Sequence, residues 1–192
     1  MTLTDIEQSP TPVDGLLVLQ TRQFDDDRGS IHEMYRQSAV SRLAGGPAAI
    51  KQVNLTYSKH GTIRGLHGEA MSKLVGLATG EAFGAYLDAR PDSPTRGKLA
   101  TVSLRPGTQV LVPAGVCNGF QALAPEGCLY LYCFDTEWAA DITGVFVNPL
   151  DPAVGVPWPI AIDAADRSRL SAKDASHPTF AEAMADLDIA HA

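Results

Sequence analysis

Arg105-Pro106-Gly107-Thr108-Gln109-Val110-Leu111-Val112-Pro113-Ala114-Gly115 is a short, mostly apolar run closed at both ends by proline and glycine. Proline cannot donate to a sheet ladder and glycine supplies turn conformations, so residues 108–112 read as a short strand between tight turns. The same punctuation recurs at Arg90-Pro91-Asp92-Ser93-Pro94 and Ala124-Pro125-Glu126-Gly127. Between such turns lie runs rich in apolar and β-branched residues at 49–55, 73–77, 82–87, 99–104 and 128–134. Short strands at this spacing predict an all-β chain, an antiparallel sandwich or barrel.

Gln52-Val53-Asn54-Leu55 and Tyr130-Leu131-Tyr132-Cys133 alternate polar and apolar residues. Each strand should therefore have one hydrophobic face and one face carrying groups that can bind something. A barrel whose interior is polar at one end has a pocket there. Helix is expected only at the flanks, over residues 38–43 and 163–170, and over 179–186, where Thr179 is a plausible cap.

A length of 192 residues suits one domain, 1–192, with 1–15 as a loose arm or exchanged edge strand and 160–192 as a helical flank. Charged residues make up 19% and the net charge is −7, which argues against DNA or RNA as a partner. No apolar run approaches the roughly 20 residues that span a bilayer. Met1-Thr2-Leu3-Thr4-Asp5-Ile6-Glu7 lacks the basic and apolar regions of a secretory signal, so a cytoplasmic location is expected. Cys117, Cys128 and Cys133 are odd in number and lack metal-type pairing, so they read as reduced, buried thiols.

Arg64-Gly65-Leu66-His67 sets a guanidinium, which forks onto phosphate, beside the imidazole, whose charge changes most readily near neutral pH. It belongs to an ordered series. Phe24-Asp25-Asp26-Asp27-Arg28-Gly29 and Glu33 come first, then Gln52-Val53-Asn54, Arg64 to His67 and Lys73. Asp92-Ser93-Pro94-Thr95-Arg96-Gly97, Asn118-Gly119-Phe120, Tyr132, Asn148-Pro149-Leu150-Asp151-Pro152 and Ser171-Ala172-Lys173-Asp174 follow. In this order and at these intervals the chain resembles the 3,5-epimerases of nucleotide-linked 4-keto-6-deoxy sugars, over nearly its whole length.

The resemblance implies a cupin-type double-stranded β-helix, or jelly roll, with short flanking helices. It also implies a homodimer, a nucleotide-sugar substrate with dTDP as the expected nucleotide, and no metal or organic cofactor. Many cupins bind metal through a His-x-His pair with a downstream His; His60, His67 and His177 lack that spacing, so no metal site is expected. By the same resemblance His67 is the base, Asp174 holds its imidazole, and Lys73 stabilises charge at the sugar O4. Tyr132 is the acid on the opposite face. Arg28, Glu33, Gln52, Asn54 and Arg64 match positions around the nucleoside and pyrophosphate, with Arg28 and Glu33 reaching partly across the dimer. Asn118 and Trp138 match positions that hold the sugar and stack the base.

Taken singly, Tyr132 could be a core aromatic, Lys73 a surface lysine and Asp174 a helix cap. As a set they favour an enzyme over a cupin that merely binds a nucleotide sugar, because a binder needs neither proton-transfer partner. A C3-only or C5-only epimerase, or a ketoisomerase on the same scaffold, acting on a GDP- or other nucleotide-linked sugar, is the rival within enzymes. Several positions depart from the common pattern. Gly68-Glu69 replaces an aromatic and a glutamine, Asn118 replaces a histidine, Ile31 replaces an aromatic and Trp138 replaces a tyrosine. These resemble a divergent branch that includes epimerases of GDP-linked deoxyheptoses and other unusual deoxysugars.

Overall fold

The computed structural model describes residues 6–44 and 49–190. Its elements in chain order are β1 (Glu7–Pro10), β2 (Leu17–Gln20), β3 (Gln23–Asp26), β4 (Gly29–His32), α1 (Gln37–Leu43), β5 (Gln52–Ser58), β6 (Ile63–Glu69) and β7 (Lys73–Thr79). Then follow β8 (Ala82–Asp88), β9 (Leu99–Leu104), β10 (Thr108–Val112), β11 (Val116–Ala122), β12 (Cys128–Phe134), β13 (Gly144–Phe146), α2 (Ala172–Ala175) and α3 (Phe180–Ala190).

Two antiparallel sheets face each other, in the orders β1-β2-β10-β7-β12-β5 and β13-β6-β11-β8-β9, with β3-β4 a separate hairpin. This is the jelly roll expected from the resemblance. Strands at 99–104, 108–112 and 128–134 have the expected bounds, whereas β5 starts three residues later than the apolar run suggests. The segment expected as an arm or exchanged strand forms β1, paired in register with β2 of its own chain, Glu7 opposite Gln20. Residues 1–5 lie outside the described residues.

The core between the sheets is built from the inward faces of β7, β8, β10, β11 and β12, including Val75, Leu77, Tyr86, Val110, Phe120 and Tyr130. Phe120 and Tyr130 stack at 3.9 Å between ring centroids. A second cluster joins Leu66, Leu87 and Val147 to Met184 of α3, and a third packs α1 through Val40 onto Leu19, Leu74 and Cys133. All three cysteines are free and buried. Burial pushes the Cys117 thiol up to about 12, so it stays protonated and is no nucleophile.

One helix expectation fails. Residues 163–170 form successive turns, because Asp163 accepts from the Ala165 amide at 2.8 Å and Asp166 from the Ser168 amide at 2.9 Å. These local side-chain bonds offer the backbone an alternative to helix. α3 does form, behind a capping box: the Thr179 amide donates to Glu182 at 2.8 Å and the Glu182 amide to the Thr179 hydroxyl at 3.3 Å. Among the described residues no helix is long and apolar enough to cross a membrane.

Candidate active site

Along the inward faces of strands in both sheets, apolar residues give way to polar ones at the same end of the barrel. Tyr130 is followed by Tyr132 on β12, Val75 is preceded by Lys73 on β7, and Phe120 by Asn118 on β11. Register sets these groups side by side: His67 lies opposite Asn118, and Tyr132 opposite Asn54. Two adjoining cavities of about 530 and 320 Å³ open there, sharing Thr56, His67, Tyr132 and Trp138 as walls.

His67 owes its position to Gly65. At Gly65 a Cβ would come within 2.5 Å of Gly119 Cα, and its φ of +125° is open to glycine, so β6 can approach β11 closely. The turn before α2 brings Asp174 to the imidazole: Asp174 accepts from His67 Nε2 at 2.8 Å while its own amide donates to the Ser171 hydroxyl at 3.0 Å. α2 is anchored to the body by the Asn148 side-chain amide, which donates to the Ala175 carbonyl at 3.3 Å. Burial alone would raise the Asp174 carboxyl, but the His67 bond and charge and the Ser171 hydroxyl outweigh it and hold it below its usual value. An ionised Asp174 requires His67 Nε2 to be the donor, which leaves Nδ1 with the free lone pair.

Lys73 is almost wholly buried. Its ammonium donates to Asn118 Oδ1 at 2.6 Å, to the His67 carbonyl at 3.2 Å and to the Glu69 carboxylate. Burial works against the Glu69 charge, but Lys73 more than compensates and keeps that carboxyl below its usual value. Burial pushes the Tyr132 phenol up, against the opposing pull of Arg64, so it is held as a proton donor.

The larger cavity is lined by Arg64, Arg167 and Arg169, a concentration of positive charge in an acidic chain. The Arg169 carbonyl accepts from the Ile63 amide at 2.8 Å, which fixes this loop beside β6. Arg64 Nε donates to the Ser58 hydroxyl at 2.9 Å. Trp138 lies half exposed at the shared wall, its amide donating to Gln52 Oε1 at 2.8 Å, while Gln52 in turn donates to Asn54 at 3.0 Å.

Of the residues singled out in the sequence, His67, Asp174, Tyr132, Lys73, Asn118, Asn54, Arg64 and Trp138 converge on these cavities. Arg28 and Glu33 do not line them. Arg28 pairs with Asp26 at the tip of the β3–β4 hairpin, and Glu33 pairs with Arg36. Arg167 and Arg169 line the larger cavity without having been singled out in the sequence, and Glu69 and His177 were named there without a role at the site. Glu69 was legible from strand period, two residues beyond His67 and so on the same face. His177 lies three residues past Asp174, one helical turn away.

The family model for dTDP-4-dehydrorhamnose 3,5-epimerase matches residues 10–182. A dTDP-4-dehydrorhamnose 3,5-epimerase of Salmonella typhimurium is 34% identical over 180 residues, covering 91% of this chain and 95% of that protein. Among solved structures, NovW of Streptomyces spheroides is a 4-keto-6-deoxy sugar epimerase from the novobiocin biosynthetic gene cluster. It superposes with a TM-score of 0.86 at 25% identity, covering 98% of this chain and 94% of its own. The Legionella pneumophila epimerase RmlC, in complex with dTDP-4-keto-L-rhamnose, gives 0.85 at 26% identity, over 95% and 97% of the two chains. With the matched order of motifs and a site assembled at the open end of the same barrel, the chain belongs to the dTDP-4-dehydrorhamnose 3,5-epimerase family.

Proposed function

We propose that this chain inverts C3 and C5 of a dTDP-linked 4-keto-6-deoxy sugar, acting in the cytoplasm as a homodimer of one-domain subunits. The observation that carries the reading is the shared cavity wall, where a histidine with one nitrogen committed to Asp174 stands beside a phenol and close to a buried ammonium. Both C3 and C5 are α to the ketone, so the substrate itself acidifies the protons to be removed and no organic cofactor is needed.

In this reading His67 Nδ1 takes the α-proton, a general-base contribution of about 10²–10⁴ in rate. Asp174 supports the imidazolium that forms. Lys73, with the amide of Asn118, faces the enolate oxygen at C4. Tyr132 returns a proton from the other face, and that change of face inverts the carbon. Arg64, Arg167 and Arg169 suit the pyrophosphate, and Trp138, Gln52 and Asn54 the nucleoside.

The dimer is supported by β5. Its polar residues turn to the cavity, while Val53, Leu55 and Tyr57 are 58, 56 and 55% exposed along an edge strand. An apolar stripe on an unpaired edge is a surface that proteins cover. A second copy seated there would bring its hairpin, with Arg28, and its Glu33 toward the nucleoside, as the resemblance implies.

The reaction is tested by incubating the protein with dTDP-4-keto-6-deoxyglucose in D2O and following C3 and C5 by NMR. Deuterium entering both carbons with inversion is the expected result, and wild-type rates in His67→Ala would overturn the assignment.

A further inference from the structure

Asp174 is shared by two histidines. His67 reaches it from β6, and His177, just beyond α2, sets Nδ1 3.9 Å from the same Oδ1. The His177 side chain is only 10% exposed, and its Nδ1 is buried with no hydrogen-bond partner. A buried imidazole nitrogen aimed at a carboxylate it does not bond is costly unless something else takes its lone pair. The two rings meet edge to face at 5.5 Å, with Phe146 packed against both.

We propose that His67, Asp174 and His177 form a binding site for a divalent transition metal of the zinc type, and that its occupation removes His67 from proton transfer. Tetrahedral zinc with bonds of about 2.0–2.2 Å sets its ligand atoms roughly 3.3–3.5 Å apart. The separations here, 2.8 Å and 3.9 Å to Oδ1, bracket that value. All three ligand atoms lie within 4.8 Å of one another, so side-chain rotations that move them by about an ångström bring the set to tetrahedral spacing. Two imidazoles and a carboxylate favour zinc, cobalt or copper over magnesium or calcium. His67 and Asp174 also line the larger cavity, leaving a further position for water or a ligand oxygen.

His60, His67 and His177 lack metal-type intervals along the chain. Two of these three, His67 and His177, converge on Asp174 only when α2 packs on β6. Metal at His67 Nε2 displaces the proton now shared with Asp174. The displaced proton moves through solvent to Nδ1, so the metal-bound neutral imidazole no longer has a lone pair where the base had been. Metal and proton abstraction therefore exclude each other, which makes this an inhibitory site and not a cofactor site. That consequence rests on His67 being the base; the binding itself does not.

The test uses the full chain, stripped with a chelator and titrated with Co²⁺ and Zn²⁺. Wild type should develop the visible absorption of histidine-ligated Co²⁺, bleached by Zn²⁺, and His177→Gln should bind at least about 10–100-fold more weakly. In the unmodified protein, Zn²⁺ should perturb the imidazole NMR signals of His67 and His177 and spare His32 and His60. Equal affinity in His177→Gln, or perturbation of other histidines alone, overturns the site. Zn²⁺ should suppress turnover in wild type and be reversed by chelation; binding at the site without suppression overturns the inhibitory consequence. Because binding is read without turnover, a metal-free protein lacking epimerase activity would overturn the functional reading and leave the site standing.

Discussion

His67 Nε2 and Asp174 Oδ1 are 2.8 Å apart although 107 residues separate them in the chain. The contact is made because α2, capped by Ser171, packs against β6. It fixes which imidazole nitrogen is free. Asp174→Asn preserves size but lets an amide offer N–H to His67 and reverse the tautomer, so kcat should fall by about 10²–10⁴ with little change in the melting curve. Steady-state kinetics beside thermal unfolding check this; unchanged kcat would separate Asp174 from the base.

Tyr132→Phe should uncouple the two halves of the reaction. The ring keeps its tilted contact with Tyr130 at 4.7 Å and its stacking on Phe134 at 5.6 Å, so the cavity wall survives. What is lost is the phenol proton proposed to reach one face of the sugar. Deuterium should still wash into the substrate, through His67, while inversion drops by about 10²-fold or more. Equal loss of washout and inversion would assign Tyr132 to binding instead.

Lys73 and Glu69 are a buried ion pair, and removing one partner strands the other. Lys73→Met should cost about 3–5 kcal/mol of stability, because Glu69 and Asn118 lose the ammonium they share. Adding Glu69→Leu should restore much of that loss, since an apolar pair replaces a charged one. Activity should not return with it. A denaturant series on the two single variants and the double variant gives the coupling directly.

These contacts show what could be read in advance and what could not. Strand ends at Thr108, Val112 and Cys128 were legible because Gly107, Pro113 and Gly127 mark where a ladder must stop. The inward set Lys73, Asn118 and Tyr132 followed from ordered motifs. The faces of β5 did not follow: alternation shows that its sides differ, but not that the polar side faces the cavity and the apolar side faces out. Asp163 and Asp166 misled because the composition suited a helix while their carboxylates closed turns. His177 was invisible as a partner of His67, since proximity across α2 and β6 has no expression in local spacing.

Acid should unfold the protein partly through Asp88, a fully buried carboxylate at the end of β8. It accepts from Arg90 at 2.9 and 2.8 Å, from Ser93 at 2.5 Å and from Thr95 at 2.6 Å. Burial pushes this carboxyl up, but the Arg90, Ser93 and Thr95 bonds prevail and hold it far below its ordinary value of 3.8. A depressed carboxyl contributes stability that is complete above its unfolded value and lost as pH falls toward its folded one. Stability should therefore be flat in this contribution above about pH 5 and decline progressively below about pH 4. Asp88→Asn should be less stable at neutral pH and show a shallower acid decline in chemical denaturation at stepped pH.

Leu55 sits at the middle of the exposed stripe on β5, on the opposite side of the strand from Asn54 and Thr56, which line the site. A charge placed there cannot be buried against a second copy without a large desolvation cost, while in a lone subunit it merely meets water. Leu55→Lys should therefore shift the protein to monomer in light scattering while leaving the melting profile of the fold intact. In the proposed dimer Arg28 and Glu33 reach the nucleoside from the second copy, so its loss should weaken nucleotide binding before it harms proton transfer. KM should rise by about tenfold or more, with solvent deuterium exchange at saturating substrate reduced far less. A monomeric variant with an unchanged KM would mean that each subunit holds the nucleoside unaided.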